Sequence, residues 1–354
     1  MSEILVFSGR IFRLLTSRRK LINLLLVKVS SLLRLERNLG MPVHLFIEPT
    51  GNCNYLCVKC GRFRKDYMDD GAVNDNKSLP LDHFRKIIDE IGDKLVSVRL
   101  WHYGEPLFND EIFEMVEYAG RKKIITALSS NLSLLTREKA EKMVRSGLDY
   151  LIVSFDGASE RSYRRHHGVD GYRRVVEAIK TLVEAKRKMK SRLPFIEMQF
   201  IVMKGNEEEL RKFSDLAGDI GADKRTYLKL DTNDVNLERF GLNAYDDILP
   251  SKEAYRHNME RLTRIGFCRL PWEESVIRYS GLALPCVSDL GQTHSFGYIF
   301  RDGIYTGFKR IWNNERYRAF RRSISKNLNS VDICQNCAQR DNNVGDQIEE
   351  IFPD

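Results

Sequence analysis

The sequence is short of the features that mark fibrous, disordered or membrane-spanning proteins. It has only 9 prolines and 23 glycines among 354 residues, and it contains no internal repeat or low-complexity tract. Its longest uncharged stretch is far shorter than the roughly 20 residues that a helix needs to cross a bilayer. With 42% hydrophobic and 30% charged residues, the chain is expected to fold as a globular protein with a full core.

The positive charge is concentrated at the N-terminus. Residues 1–40 contain eight lysines and arginines against two glutamates, a net charge of +6, whereas the whole chain carries +8. The rest of the chain therefore carries only +2. The excess of basic residues therefore lies in the N-terminal segment and not in the body of the protein, so no nucleic-acid partner is expected.

The N-terminal segment alternates apolar and basic positions at roughly helical period from Ile11 onwards. Two interpretations are open: a basic amphipathic helix that lies on an anionic membrane surface, or a helix that packs across the rest of the fold with its basic face in water. A cleavable signal is not expected, because no small-residue cleavage site follows a compact apolar core.

Seven cysteines are present, in a group of three and a group of four: Cys53, Cys57 and Cys60, then Cys268, Cys286, Cys334 and Cys337. We call these the first and second cysteine groups. An odd number in this arrangement does not fit a disulfide framework. The spacings C-x3-C-x2-C and C-x2-C are typical of thiolate ligands in a reducing compartment, so a cytoplasmic protein is predicted.

Short apolar strands alternate with helical patterns after the N-terminal segment. Six strands are predicted, near residues 43–48, 95–101, 124–129, 150–154, 196–203 and 226–230. Helices are predicted between them at 81–91, 110–121, 136–146 and 171–190, with a fifth capped by Asn206 and Glu209. This alternation implies a parallel sheet with right-handed crossovers, and its chemistry belongs at the C-terminal ends of the strands.

The pattern changes after about residue 250. A hairpin is predicted at 278–285 with its turn at Ser280 and Gly281, and cysteines flank it. A helix is predicted at 314–324, followed by the last two cysteines and an acidic tail. This region has few apolar residues, so we expect a small module that depends on its ligands to fold.

The first cysteine group follows the first predicted strand. Three thiolates cannot complete a tetrahedral zinc site, but they can hold three irons of a 4Fe-4S cluster and leave the fourth iron open. A zinc site that borrows His44 or His102 as its fourth ligand is also compatible with the spacing. The position at the catalytic end of a βα fold favours the cluster.

The first cysteine group, together with Gly104, Glu105 and Pro106 after the second strand, resembles the radical S-adenosylmethionine (SAM) superfamily. In that family the open iron chelates SAM, and one electron cleaves SAM to methionine and a 5'-deoxyadenosyl radical, which abstracts hydrogen from the substrate. The resemblance implies a partial (β/α)6 TIM-like barrel. It also implies an external electron donor such as flavodoxin or ferredoxin.

The same resemblance implies which residues contact SAM. The amino group would be received by Gly104 and Glu105, with Pro106 completing the motif. Further contacts are implied after the third and fourth strands and on one arginine: Ser129 and Asn131, Ser154 and Asp156 for the ribose, and Arg165 for the carboxylate. An ordinary surface position is an open alternative for Arg165. Relatives usually have an aromatic residue where this chain has Lys59, so no adenine contact is assigned.

The second cysteine group, with Trp272, Asp289 and Trp312 around it, resembles the SPASM/twitch extension of radical SAM enzymes. Full SPASM domains have seven cysteines and two auxiliary clusters. Four cysteines are similar to the one-cluster twitch form, as in the butirosin-pathway amino-cyclitol dehydrogenase. The second group would then hold one auxiliary 4Fe-4S cluster.

The implied organisation has four parts. A basic amphipathic extension covers residues 1–40, a radical SAM partial barrel 41–250, a twitch/SPASM-like module 251–340 and an acidic tail 341–354.

Four thiolates on the auxiliary cluster would leave no iron free, so its expected role is electron transfer. The predicted reaction abstracts hydrogen from a small-molecule, sugar-type or lipid-linked substrate and oxidises it, with the auxiliary cluster as electron acceptor. A polar residue must take the hydroxyl proton. Four residues near strand ends are candidates, with packing or rim positions as the alternative for each: His102, Tyr103, Glu197 and Gln199.

Three other functions are weighed against this one. A thiol-dependent epimerase is disfavoured because all seven cysteines are assigned to clusters, although a tyrosine could also donate hydrogen. A peptide maturase is disfavoured because 40 basic residues are too few for a peptide-recognition domain. A zinc-organised binding module without catalysis leaves the Gly104 to Pro106 motif unexplained.

Overall fold

The computed structural model describes residues 17–61, 77–231, 246, 248–256, 266–301, 303–335 and 337. The predicted acidic tail at 341–354 lies outside the described residues, as does the first part of the N-terminal segment.

Helices and strands alternate along most of the chain. The helices are α1 (Arg18–Leu32), α2 (Leu81–Ile91), α3 (Ile112–Arg121), α4 (Arg137–Arg145), α5 (Glu160–His167), α6 (Tyr172–Lys188), α7 (Leu210–Ile220), α8 (Leu270–Glu273), α9 (Phe308–Trp312) and α10 (Glu315–Lys326). The strands are β1 (His44–Ile47), β2 (Ser97–Arg99), β3 (Ile125–Ser130), β4 (Tyr150–Ser154), β5 (Phe195–Val202), β6 (Lys224–Lys229), β7 (Glu274–Ile277), β8 (Leu282–Leu284), β9 (Gly297–Tyr298), β10 (Phe300–Arg301) and β11 (Ile304–Tyr305).

Nine of these strands form one sheet in the order β6-β5-β4-β3-β2-β1-β7-β8-β9. Every neighbouring pair from β6 to β7 is parallel. The last two strands, β8 and β9, are added antiparallel. The parallel sheet of six βα strands is confirmed, and it forms a partial barrel with open edges.

The helices cover the sheet because their apolar residues recur at helical spacing. In α2 the buried residues are Phe84, Ile87, Ile88 and Ile91, at i, i+3, i+4 and i+7. Strand β3 alternates instead, with Thr126, Leu128 and Ser130 buried and the residues between them partly exposed.

The sequence prediction is wrong at the start of α7. Asn206 does not cap this helix, which begins at Leu210 with Glu209 at the N-cap position. The Asn206 side chain instead accepts from Met203 N at 2.8 Å and donates to Ile201 O at 2.9 Å, which stabilises the turn that follows β5.

The second cysteine group is not carried by a separate layer. Strand β7 pairs parallel with β1 and extends the barrel sheet, and the predicted hairpin joins β7 to β8 through Gly281 at φ 90°. Trp272 and Trp312 are fully buried in the same core as the barrel residues. Their indole nitrogens donate to the carbonyls of Leu35 and Gly40, both at 2.7 Å. The burial of both tryptophans in the barrel core stabilises this region by apolar packing, which the sequence analysis did not predict.

Candidate cluster and cofactor site

The first cysteine group lies in a loop that three backbone hydrogen bonds hold in place. Glu105 N donates to Asn52 O at 2.8 Å, which fixes the start of the loop to the segment after β2. Leu56 N donates to His167 O at 3.0 Å and Val58 N to His166 O at 2.8 Å, which fix its middle to the end of α5. The loop therefore sits at the C-terminal ends of the strands, as predicted.

The three thiols of this loop lie close enough to affect one another. Burial raises the pKa of Cys57 well above its usual value, and the neighbouring Cys60 and Cys53 thiols raise it further. Its Sγ lies 3.2 Å from Nδ1 of His167, whose Nε2 donates to Phe155 O at 3.1 Å. Clustered thiols of this kind become good thiolate ligands when cationic iron offsets their repulsion, so the donor set fits an iron–sulfur cluster.

Gly104 is the point where the segment after β2 touches the cysteine loop. A Cβ placed on this residue would lie 1.8 Å from Thr50 O and 3.1 Å from Asn52 O. No side chain fits there, so the backbones approach as closely as they do only because residue 104 is glycine. The close approach places the Gly104 carbonyl and the Glu105 side chain beside the loop.

Glu105 is buried, and its carboxylate joins the ends of two strands. Oε1 accepts from Ser130 Oγ at 2.7 Å and from Leu107 N at 3.1 Å, and Oε2 accepts from Asn131 N at 2.8 Å. The predicted SAM contacts Glu105 and Asn131 are thus brought together. Pro106 begins the short 3-10 turn that this carboxylate caps.

Asn131 continues this network into the cysteine loop. Its Nδ2 lies 3.3 Å from Asn54 Oδ1 and 4.0 Å from Cys53 Sγ, and its Oδ1 accepts from Ser133 N at 2.9 Å. Asn54 in turn donates to Ser133 Oγ at 2.8 Å. The end of β3 therefore orients the loop through one amide side chain.

Ser129 and Ser154 both belong to the partly exposed row of their strands. Ser129 is paired in register with Ile152, two residues before Ser154. Both residues are therefore partly exposed, and their contact with SAM stays a prediction.

Asp156 is buried beneath the cysteine loop. Its Oδ1 accepts from Ile201 N at 2.7 Å, and its Oδ2 lies 3.3 Å from His166 Nε2 and 3.9 Å from His167 Nε2. Its backbone has a φ of 52°, in the left-handed region. Burial lowers the pKa of both imidazoles to about 3, so this is a neutral histidine pair. We interpret the cluster as support for the loop, since His167 Nε2 donates to the backbone of Phe155 and Asp156 accepts from the backbone of Ile201.

His166 and His167 were missed by the sequence analysis, which placed no helix at α5. The helix is polar on most sides and offers no apolar period, and its start signal is a Ser159 and Ser162 capping box without the usual acidic partner. Two adjacent histidines after Tyr163 were the available signal.

Arg165 lies on the exposed side of α5. Its Nη1 is 2.5 Å from where a Cβ of Gly205 would be, which places the guanidinium against the turn after β5. Arg165 therefore sits at the same end of the barrel as the cysteine loop.

The second cysteine group also comes together. Burial raises the pKa of Cys268 to about 12, with Cys337 and Cys334 adding to the rise. Burial together with the same two thiols raises the pKa of Cys286 well above its usual range. Ser288 Oγ lies 3.5 Å from Cys337 Sγ. All four thiols converge, which fits complete thiolate ligation of one cluster.

A buried ion pair lies between the two cysteine groups. Glu48 directly follows β1 and Arg278 directly follows β7, and Arg278 Nε donates to Glu48 Oε2 at 2.5 Å. Burial alone would raise the pKa of Glu48, but the charge and hydrogen bond of Arg278, together with His102 and the backbone N–H of Tyr103, lower the net pKa. Tyr103 N donates to Glu48 Oε1 at 3.2 Å.

Tyr103 spans the space between the two groups. A Cβ on Gly61, next to Cys60, would lie 3.2 Å from Tyr103 Cε1, and the Tyr103 hydroxyl donates to Val287 O at 3.4 Å, next to Cys286. His102 is buried beside it, with ring centroids 4.0 Å apart, and its Nε2 lies 3.4 Å from the same carbonyl.

The remaining sequence candidates are placed further down the strands. Glu197 is buried, accepts from the Tyr150 hydroxyl, and accepts from Gln199 Nε2 at 2.9 Å. His44 is the first residue of β1, at the opposite end of that strand from the cysteine loop, and its Nδ1 lies 2.8 Å from Ser97 Oγ. His44 is thus engaged away from the first cysteine group.

Fold and thiols together define an iron–sulfur protein built on a partial βα barrel. Residues 47–217 match the radical SAM superfamily and residues 268–338 match the iron-sulfur cluster-binding SPASM domain. The chain therefore belongs to the radical SAM enzymes that carry a SPASM domain. These two domains imply a SAM-binding 4Fe-4S cluster, an auxiliary cluster and SAM itself, and cysteines are present in both regions.

Relatives of this chain act in different reactions. It is 30% identical over 176 residues to the AdoMet-dependent heme synthase of Methanosarcina barkeri, an alignment that covers 49% of this chain and 47% of that protein. It thus spans about half the length of this relative. The tungsten-containing aldehyde ferredoxin oxidoreductase cofactor-modifying protein of Pyrococcus furiosus is 25% identical over 334 residues, or 84% of this chain and 88% of that protein.

Solved structures share the fold. Streptococcus suis SuiB bound to its precursor peptide SuiA superposes with a TM-score of 0.58 at 16% identity, over 79% of this chain and 67% of SuiB. The structure of BtrN with AdoMet and 2-DOIA also matches, with a TM-score of 0.49 and 19% identity over 88% of this chain and 98% of BtrN.

Proposed function

We propose that this enzyme oxidises an alcohol group on a small-molecule, sugar-type or lipid-linked substrate. The observation that carries this proposal is the convergence of all four thiols of the second cysteine group. When bound, SAM and the two clusters supply a 5'-deoxyadenosyl radical and a one-electron acceptor. A secondary alcohol that loses a hydrogen atom from carbon, a proton from oxygen and one electron becomes a ketone, and a fully ligated auxiliary cluster suits the last step.

The residues at the C-terminal end of the barrel have different roles in this reaction. We propose that Cys53, Cys57 and Cys60 hold the first cluster and the four thiols of the second group hold the other. The carbonyl of Gly104 and the carboxylate of Glu105 would receive the SAM amino group, since a carbonyl and a carboxylate suit an ammonium ion.

Other side chains would orient SAM from the neighbouring strands. Ser129, Asn131 and Ser154 remain predicted contacts, as does Arg165 for the carboxylate. Asp156 also remains a predicted contact, and its buried side chain suggests that it acts by shaping the loop after β4.

Tyr103 is our candidate for the residue that binds the substrate hydroxyl. Its ring lies against Gly61, next to Cys60, and its hydroxyl against Val287, next to Cys286. A substrate that loses hydrogen at the first group and an electron to the second would lie between them. The electron that starts each turnover comes from outside, and we propose a cytoplasmic flavodoxin or ferredoxin as its donor.

A small molecule is favoured over a peptide. The Pyrococcus furiosus relative is a cofactor-modifying protein and aligns over most of this chain. All seven cysteines have cluster roles in this proposal, so a thiol that returns hydrogen, as an epimerase requires, is not available.

The test uses anaerobically reconstituted enzyme with about eight irons, SAM, a reductant and candidate substrates from neighbouring genes. We expect a product that has lost two hydrogens. The matched control is Cys286→Ala, which should lose about half of the iron, still cleave SAM and form no ketone. A product of unchanged mass with inverted stereochemistry, or turnover of a precursor peptide alone, would overturn the proposal.

A further inference from the structure

Helix α1 packs on the protein through its polar face. Its buried residues include Lys20, Asn23 and Ser30. Lys20 Nζ donates to Lys123 O at 2.8 Å, and Asn23 exchanges two hydrogen bonds with the backbone of Met41, at 2.8 and 2.9 Å. The hydroxyl of Ser30 accepts from the backbone of the segment that follows the helix. Apart from the fully buried Val27, the side chains that attach this helix are mainly polar, and most of its large apolar side chains face away.

The outward face carries six large apolar side chains: Ile22, Leu25, Leu26, Val29, Leu32 and Leu33, with exposed fractions of 57%, 66%, 36%, 41%, 79% and 66%. We call this face the α1 stripe. Its members follow the spacing i, i+3, i+4, i+7, i+10 and i+11, which keeps them on one side of a helix with 3.6 residues per turn. They are six of the ten large apolar residues exposed in the described part of the chain, so they form a patch and are not scattered.

Basic side chains flank the α1 stripe. Arg18, Arg19 and Lys28 are exposed on the same helix. Arg19 also lies 3.2 Å from Asp93, and Lys28 lies 2.9 Å from Glu273, contacts that orient these cations along the edges of the stripe. The described residues 17–40 contain six lysines and arginines against Glu36, a net charge of +5, so this surface is electrostatically complementary to an anionic one.

We infer that the α1 stripe docks on the surface of an anionic lipid bilayer, with its leucines in the headgroup boundary and its cations against the headgroups. A second copy of the chain is a poorer occupant, because it would bring two +5 segments together. In the described residues no helix is long and apolar enough to span a bilayer, which fits contact at the surface.

The contacts of α1 also determine which end of the barrel would face the bilayer. Its partners lie shortly before four strands of the sheet: Met41 before β1, Asp93 before β2, Lys123 before β3 and Glu273 before β7. The helix therefore covers the N-terminal end of the barrel, opposite the cysteine groups. Docking would turn the catalytic end away from the bilayer, so a substrate would enter from the aqueous side.

This inference does not depend on the proposed reaction, and vesicle binding tests it without turnover. The full chain with its clusters is centrifuged with phosphatidylcholine vesicles, with and without phosphatidylglycerol. We expect binding that requires phosphatidylglycerol and weakens with salt. The double variant Leu25→Gln/Leu32→Gln should bind at least about tenfold more weakly, since two exposed leucines lose their apolar burial.

Ile304→Gln is the matched control, because Ile304 is 66% exposed on β11, the same fraction as Leu25. It should bind vesicles like the wild type. SAM cleavage by all three proteins reports that they are folded. The inference is overturned if the wild type does not bind, if the double variant binds equally well, or if the double variant changes only self-association in solution.

Discussion

Substituting Gly104 by alanine tests how the site is assembled. The added Cβ would lie 1.8 Å from Thr50 O, whereas ordinary contact begins at 3.4 Å, so the two backbones must separate by 1.6 Å (3.4 minus 1.8). That movement breaks the 2.8 Å hydrogen bond from Glu105 N to Asn52 O. The start of the loop that carries the first cysteine group then loses its attachment to the segment after β2.

The loss of stability in Gly104→Ala follows from these contacts. Overpacking costs about 1 to 3 kcal/mol, and one lost backbone hydrogen bond adds about 1 kcal/mol. We therefore expect Gly104→Ala to lower the free energy of unfolding by about 2 to 4 kcal/mol. Since a misplacement of about 1 Å in a reacting complex costs roughly 100-fold in rate, formation of 5'-deoxyadenosine should fall by about that factor or more.

The assay compares three proteins under anaerobic conditions by iron content, urea unfolding and the rate of SAM cleavage. The control is Gly120→Ala on α3, where an added Cβ meets nothing within 4 Å. It should be as active as the wild type and more stable by about 0.5 kcal/mol. If Gly104→Ala cleaves SAM at close to the wild-type rate and unfolds like the control, the proposed contact between the two segments does not organise the site.

Three further predictions concern buried charges and the space between the cysteine groups. Burial raises the pKa of Glu274 to about 7, although Arg99 opposes the rise. The folded pKa therefore lies above the unfolded value of 4.5. The free energy of unfolding should fall by roughly 3 kcal/mol as the pH rises from about 4.5 to about 7. Glu274→Gln should remove that slope in unfolding measured at pH 5 and pH 8, and a slope equal to that of the wild type would contradict the assignment. Glu48→Gln leaves Arg278 charged and buried without its carboxylate, so urea unfolding should show a loss of about 3 to 5 kcal/mol, and a loss under about 1 kcal/mol would mean that the pair is not a buried one. Tyr103→Phe removes only a hydroxyl, so SAM cleavage should persist while substrate oxidation falls at least about tenfold, and unchanged oxidation would exclude Tyr103 from substrate binding.

Local patterns in the sequence predicted most of the barrel. The period of apolar residues gave the bounds of α2 and β4 as the structure has them, and Thr136 and Asn314 cap α4 and α10 where helices were expected to begin. These features depend on neighbours a few residues away, which is why sequence alone is sufficient for them.

Features that depend on distant partners could not be predicted. The sequence showed that the N-terminal segment is amphipathic, but it could not show which face is buried. That choice depends on carbonyls such as Lys123 O, 103 residues from Lys20, which accept hydrogen bonds from the polar face. Helix α5 was missed for a related reason, since its two histidines are buried by contact with the cysteine loop and have no apolar period of their own.

The position of β7 explains how two cysteine groups more than 200 residues apart in sequence form one site. β7 pairs with β1 in register, with Ile277 opposite Ile47, so the residues that follow, Arg278 and Glu48, emerge side by side and form their buried ion pair. One chain segment then leads into the first cysteine group, and the other leads through the β8 hairpin to Cys286. Their separation is fixed by the sheet and by a buried charge pair instead of by flexible loops. In the proposed reaction an electron leaves a substrate held between the two groups, and this arrangement would keep their separation constant.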